Sequence, residues 1–407
     1  MRSRSLMSKL KNLSSAIISA TACVGASNLI TFSYAGSTYG FSLLWVTLII
    51  LILSIFILQI AAQVGMLTKR GLISNIRQHF GNLYAVIVSS SIAISNQASV
   101  VAEIVGASVI LSVLIGFSPE VWAPLISLAI CFIAVKEKSS FLKSVLVSLS
   151  FAILIYLVAA YMSNPPIHDL INGLISIKVG YSRDLLLTMM AMLGTSITAH
   201  TLLFEVSEAA RKVKEFRDLV DEYNGAVIGS IISCLVNIAA LITCASLLYP
   251  TGARIIAVED LMISLSKLLG SSIIIPISIG MLASAFLASS VIALSNFKLL
   301  DELIEDLADL LKIRAAVLSG WKIILSSLTL LMAPLLLFAG FSPLKLIIHA
   351  SAISFLFMPI SLFSIPMILG RINYPSEVRV NILRFSCWFI VLSITFVCVA
   401  SLILSIV

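Results

Sequence analysis

Between Asn12 and Thr68 the chain carries no charged residue. A helix needs about 20 apolar residues to cross the hydrocarbon core of a bilayer, so this stretch has room for two spans. Backbone N–H and C=O groups in lipid must be satisfied within the protein, which restricts spanning segments to helices and closed barrels. The apolar runs are continuous rather than alternating, which excludes barrel strands. Ala35-Gly36-Ser37-Thr38-Tyr39-Gly40 reads as the turn between the first two spans. Further candidate spans follow at Leu83–Phe117, Val121–Val135, Ser144–Met162, Leu185–Val206, Gly225–Leu248, Ser271–Leu294, Ile323–Phe338, Leu346–Leu369 and Phe385–Val407. The expectation is an all-α polytopic membrane protein with eleven transmembrane helices. Composition agrees. Of 407 residues 60% are hydrophobic and 11% charged, against about 25% charged in an average soluble domain.

The net charge of +7 would ordinarily raise the question of a nucleic-acid partner. The positions of the cations answer it. With the N-terminus in the cytoplasm, 21 of the 26 Lys and Arg residues fall on the cytoplasmic side of the eleven spans. Lys178, Arg183, Arg254, Lys267 and Lys345 are left for the other side. Cytoplasmic loops of membrane proteins carry such an excess, so the charge reports topology and no nucleic-acid partner is expected. The C-terminus then lies outside. The expected location is the plasma membrane of a prokaryote.

Ala20-Thr21-Ala22-Cys23 faintly resembles a cleavage site, but the apolar stretch continues past it and ten more spans follow. The six cysteines lie in apolar segments without metal-ligand spacing, so no disulfide is expected. There is no phosphate-binding glycine loop, no His-Glu-x-x-His and no Gly-x-Ser-x-Gly. Neither an enzyme nor a bound cofactor is expected. Within Asn296–Trp321, acidic residues alternate with leucines. They read as a cytoplasmic amphipathic helix lying along the membrane surface.

An ionisable side chain at membrane depth costs about 2.5–3.5 kcal/mol on insertion scales and marks function by default. Glu103 lies mid-way along the third candidate span, with Ser99 and Asn96 on its helix face. His200 and Glu205 lie in the sixth. Five residues apart, they point about 140° apart on an unbroken helix, so a joint site needs local unwinding. The run Gly194-Thr195-Ser196-Ile197-Thr198-Ala199-His200-Thr201 offers a reason for it, and the first span has a similar weak spot at Gly25-Ala26-Ser27-Asn28. Such residues compete with regular helix hydrogen bonding.

The two weak helices are the first and the sixth, and eleven spans divide as five, five and one. Corresponding spans then run in opposite directions, the arithmetic of an inverted-repeat secondary transporter with ion or substrate held where the broken helices meet. The expected division is residues 1–162 as the first repeat, 163–184 as an external loop, 185–370 as the second repeat and 371–407 as the eleventh span.

Asn28-Leu29-Ile30-Thr31 and Ala35-Gly36-Ser37-Thr38-Tyr39-Gly40-Phe41-Ser42-Leu43-Leu44-Trp45 resemble the first span and following loop of the natural resistance-associated macrophage protein (NRAMP) family. Leu58-Gln59, Gly65, Thr68, Gly71-Leu72, Ala102-Glu103-Ile104-Val105-Gly106 and Leu193-Gly194-Thr195 through His200 continue the match. Later matches, such as Asn237 and Pro359, are scattered. The resemblance implies divalent-metal transport, commonly coupled to protons, on a LeuT-like fold.

The chain departs from the family pattern at the chemistry. Gly25-Ala26-Ser27-Asn28 stands where the family has Asp-Pro-Gly-Asn, and Thr198-Ala199-His200 where it has Met-Pro-His. Glu205 replaces a second histidine and Val100 an aspartate. What the resemblance then implies for a metal site is Asn28, Gly25, Thr198 and the freed carbonyls near Ala22 and Thr195. Glu103, His200 and Glu205 would be the proton-responsive or gating groups. A thioether favours soft transition ions. Its replacement by a hydroxyl leaves hard donors, which suit ions that keep water, such as magnesium. Two other readings stay open: a transporter of a small organic solute such as an amino acid, and a sensor that moves nothing.

Overall fold

A computed structural model describes residues 24–135, 151–176, 182–212, 216–252, 257–311, 322–371 and 380–406. Every regular element among them is helical. Helix α1 (Ala26–Tyr39) begins directly after Gly25, whose backbone is extended. The expected turn at Ala35–Gly40 is confined to its last residue: Gly40 alone takes a positive φ, followed by a 3-10 turn to Leu43. Ser37 stays helical, its hydroxyl donating back to the Tyr34 carbonyl at 2.9 Å. Helix α2 (Leu44–Thr68) completes a 43-residue apolar stretch with α1.

The remaining helices are α3 (Leu72–Phe80), α4 (Asn82–Ile115), α5 (Pro119–Val135), α6 (Ile155–Met162), α7 (Ile167–Ile175), α8 (Arg183–Ser196), α9 (Ala199–Lys212), α10 (Phe216–Leu247), α11 (Val258–Leu269), α12 (Ser271–Leu311), α13 (Lys322–Phe338), α14 (Pro343–Leu369) and α15 (Val380–Ile406). Among the described residues six helical stretches are long and apolar enough to cross a membrane. Shorter apolar helices lie at Pro119–Phe132, Thr329–Phe338 and Cys387–Ala400. The expected span at Ser144–Met162 falls partly outside the described residues.

Helix α4 is central and packs along both α12 and α14. Helix α8 packs on α14, α9 on α2, and α10 on both α1 and α2. Without a hydrophobic drive between helices in lipid, close backbone approach and interhelical hydrogen bonds hold such a bundle. Both devices are present. A Cβ on Gly194 of α8 would fall onto the Ser351 carbonyl of α14, so only glycine permits that crossing. Asn96 of α4 donates to Asn296 Oδ1 of α12 at 2.9 Å, both residues buried. The Ser95 and Ser354 hydroxyls meet at 2.9 Å between α4 and α14.

The outer surface is apolar. Phe385, Phe389, Leu392 and Phe396 recur along one face of α15 and are 56–75% exposed. Exposed apolar stripes of this kind fit lipid, not water. The five described cysteines are free.

The acidic stretch after Asn296 departs from expectation. Helix α12 runs unbroken from Ser271 to Leu311, so the stretch continues a spanning helix rather than forming a separate one. No glycine or proline interrupts residues 281–311, and leucine, lysine and glutamate all favour helix.

Candidate functional site

A helix start and a helix break meet in the interior. One is the start of α1 at Gly25. The other separates α8 from α9, where Ile197 is extended (φ −117°, ψ 101°) and Thr198 is non-helical. Between them lies a cavity lined by Gly25, Ser27, Asn28, Ser99, Glu103, Gly194, Thr195, Ser196, Thr198, His200, Thr201, Ala288, Ile292 and Ser351. It offers about 20 Å³ to water centres, enough for one or two waters.

Glu103 is 4% exposed. Its carboxylate accepts from the Ser27 hydroxyl and, at 3.5 Å, from the Ser27 backbone N–H. Position 25 is the N-cap of α1, where Ser, Thr, Asp or Asn ordinarily satisfies the first-turn N–H groups. Gly25 provides no side-chain cap. A Cβ there would fall onto the Glu103 carboxyl group. Glu103 thus caps α1 from another helix, and its carboxyl oxygens meet the positive end of the α1 dipole.

The opposite wall is built from the end of α8. Gly194, Thr195 and Ser196 line the cavity at its last turn, where an interrupted helix leaves carbonyls without intrahelical partners. Such an end carries partial negative charge. Thr198 Oγ1 lies 3.4 Å from His200 Nε2 and 3.2 Å from the Thr201 hydroxyl. Three buried polar atoms of cavity-lining residues lack a hydrogen-bond partner among the described residues: Asn28 Nδ2, Ser196 Oγ and His200 Nδ1. Buried polar atoms are normally satisfied, so such orphans mark a place for a ligand or water.

Of the residues singled out from sequence, Gly25, Asn28, Glu103, Thr195, Thr198 and His200 all line this cavity. Ala22 lies outside the described residues. Glu205 does not line the cavity. The break falls at Ile197–Thr198, before both His200 and Glu205, so the two stay on one regular helix and diverge. Ser27, Ser99 and Ser351 also line the cavity, and nothing in the sequence marks them as site residues; a small hydroxyl on an apolar helix resembles any packing residue. Among the described residues no three His, Cys, Asp or Glu side chains cluster. A cation here would meet one carboxylate, an imidazole, hydroxyls, an amide and carbonyl oxygens.

A family model described as natural resistance-associated macrophage protein-like matches residues 16–405. The chain belongs to the NRAMP family. It is 25% identical over 262 residues to the divalent metal cation transporter MntH of Listeria innocua, which spans 61% of this chain and 58% of that protein. It is 26% identical over 293 residues to MntH of Yersinia pestis, 70% of each chain. The fold is that of a manganese transporter from Eremococcus coleocola, with TM-score 0.71, 17% identity and coverage of 98% of this chain and 88% of that one. MhsT, crystallised with L-phenylalanine, superposes with TM-score 0.62 at 15% identity, covering 96% and 98%. The NRAMP chain is an all-helical integral membrane protein with a LeuT-like fold; the curated relatives it matches are named as divalent metal cation transporters, and it spans less than two thirds of the length of the Listeria one.

Proposed function

We propose that this NRAMP protein is a secondary transporter that carries a divalent metal cation through the cavity between α1, α4, α8 and α9. The capping of α1 by Glu103 carries the reading. A free helix N-terminus at mid-membrane is an anion site and holds a substrate carboxylate in LeuT-like transporters. Here that position is filled by the protein's own carboxylate, which leaves a negative group beside the negative end of α8. The cavity is also far smaller than the ~300–1,000 Å³ of a site that engulfs an organic ligand. Both features oppose an amino-acid cargo.

The donors favour hard ions or relaxed selectivity. Thr198 offers oxygen where the family pattern has a thioether, and magnesium or manganese tolerates oxygen ligands and retained waters. Eleven spans in a five, five and one arrangement agree with the packing of α4 on α12 and of α2 on α10, which are the third and eighth and the second and seventh spans of that scheme. Repeats of residues 1–162 and 185–370, a loop at 163–184 and a last span at 371–407 follow. The cation bias places the N-terminus in the cytoplasm and the C-terminus outside, in a prokaryotic plasma membrane.

A thermal-unfolding panel on the purified protein tests the cargo class. Ligands that bind the native state raise its melting temperature. Manganese or magnesium should do so in a concentration-dependent way, and a panel of amino acids should not. Stabilisation by an amino acid alone would replace this reading with the organic-solute one.

A further inference from the structure

Resting on the cation reading, we propose that Glu103 is a direct ligand of the transported cation, a third-span carboxylate standing where the first span would supply one. Three observations meet at one point. The carboxylate is buried in the wall of the cavity that also contains Asn28, Thr198 and His200. Its placement and a side chain at position 25 are mutually exclusive, because the first carbon of such a side chain would coincide with it. And a neighbouring nitrogen able to present a lone pair to a cation, His200 Nδ1, is buried and unpartnered among the described residues, so the group sits in a site built for something more than the present hydrogen bonds.

The chemistry follows from charge. A doubly charged ion in a low-dielectric interior needs a full negative charge within contact distance. Glu103 is the one carboxyl-bearing residue among the described lining residues. Ser27, through its hydroxyl and its N–H, fixes the carboxylate against the start of α1. A carboxylate has about four lone-pair sites, so these bonds leave capacity for an ion. The oxygen that an N-cap aspartate would offer from α1 is thus offered from α4.

The test is a carboxylate transfer read by calorimetric titration of Mn²⁺ into the full-length protein in detergent. Glu103→Gln keeps an acceptor for Ser27 but removes the charge, and should weaken Mn²⁺ binding at least about tenfold, the scale of losing even an indirect metal partner. Gly25→Asp alone should lower the melting temperature, since the two side chains compete for one place. The pair Gly25→Asp with Glu103→Ala moves the carboxylate to the first span and should regain most of the affinity that Glu103→Gln loses. Binding by Glu103→Gln as tight as that of the unmodified protein overturns the inference, whatever the paired variant does. So does a paired variant that melts like the unmodified protein yet binds as weakly as Glu103→Gln. Failure of the unmodified protein to bind Mn²⁺, Mg²⁺ or Ca²⁺ overturns the cation reading itself.

Discussion

The carboxyl group of Glu103 lies against the bare Cα of Gly25, so α4 closes the start of α1. Neither residue is explained alone. A glycine at a helix start leaves N–H groups unsatisfied, and a carboxylate at membrane depth is costly. Together each offsets part of the other's cost and leaves a carboxyl group in the wall of a small polar cavity.

Thr198 sets the softness of that cavity. Its hydroxyl lies between His200 and Thr201, at the end of the α8–α9 break. Thr198→Met should shift preference toward softer ions, raising affinity for Cd²⁺ relative to Mg²⁺. Competition titrations of the two ions would measure it. An unchanged affinity ratio would mean that the side chain at 198 does not reach the ion.

The Asn96–Asn296 pair holds α4 against α12 in a setting where few polar contacts are made. Asn96→Leu should cost about 1–3 kcal/mol, because it strands a buried acceptor. Replacing both residues by Leu should cost less than the sum of the single changes. A double-mutant cycle on unfolding in detergent gives the coupling, and strictly additive losses would contradict a direct bond.

Much of the fold is legible in the sequence, and so are most of the lining residues. Uncharged apolar runs dictate helices, and the Gly-Ser-Thr-Asn runs near 25–28 and 194–201 mark where α1 begins and where α8 and α9 separate. Pairings between distant helices were not legible. Glu103 and Ser27 are 76 residues apart, and in an apolar chain no periodicity announces which serine meets which carboxylate. Glu205 illustrates the converse. It is a charged residue in an apolar span, yet its position on the unbroken α9 turns it from the cavity. The continuation of α12 through its acidic stretch was missed because amphipathicity says which face is wet, not whether a helix stops.

Glu259, at the start of α11 and outside the spanning segments, is half-buried. Burial, and then the charges of Asp260 and Glu120, push its carboxyl above the usual range, while its own backbone N–H pulls the other way. The folded protein therefore binds more protons than the unfolded chain between the ordinary carboxylate pKa and the raised one. Stability falls as pH rises through that window. Glu259→Gln should raise the melting temperature at pH 7 and leave it nearly unchanged at pH 4. Equal effects at both pH values would contradict the assignment.

The central claim concerns cargo, and transport measures it most directly. In proteoliposomes containing the purified protein, radiolabelled Mn²⁺ should accumulate above protein-free vesicles. Unlabelled Mg²⁺ should compete with it, and amino acids should not. Glu103→Gln should abolish the excess. Vesicles that take up no divalent cation, or uptake inhibited by an amino acid and indifferent to Glu103→Gln, would contradict the account.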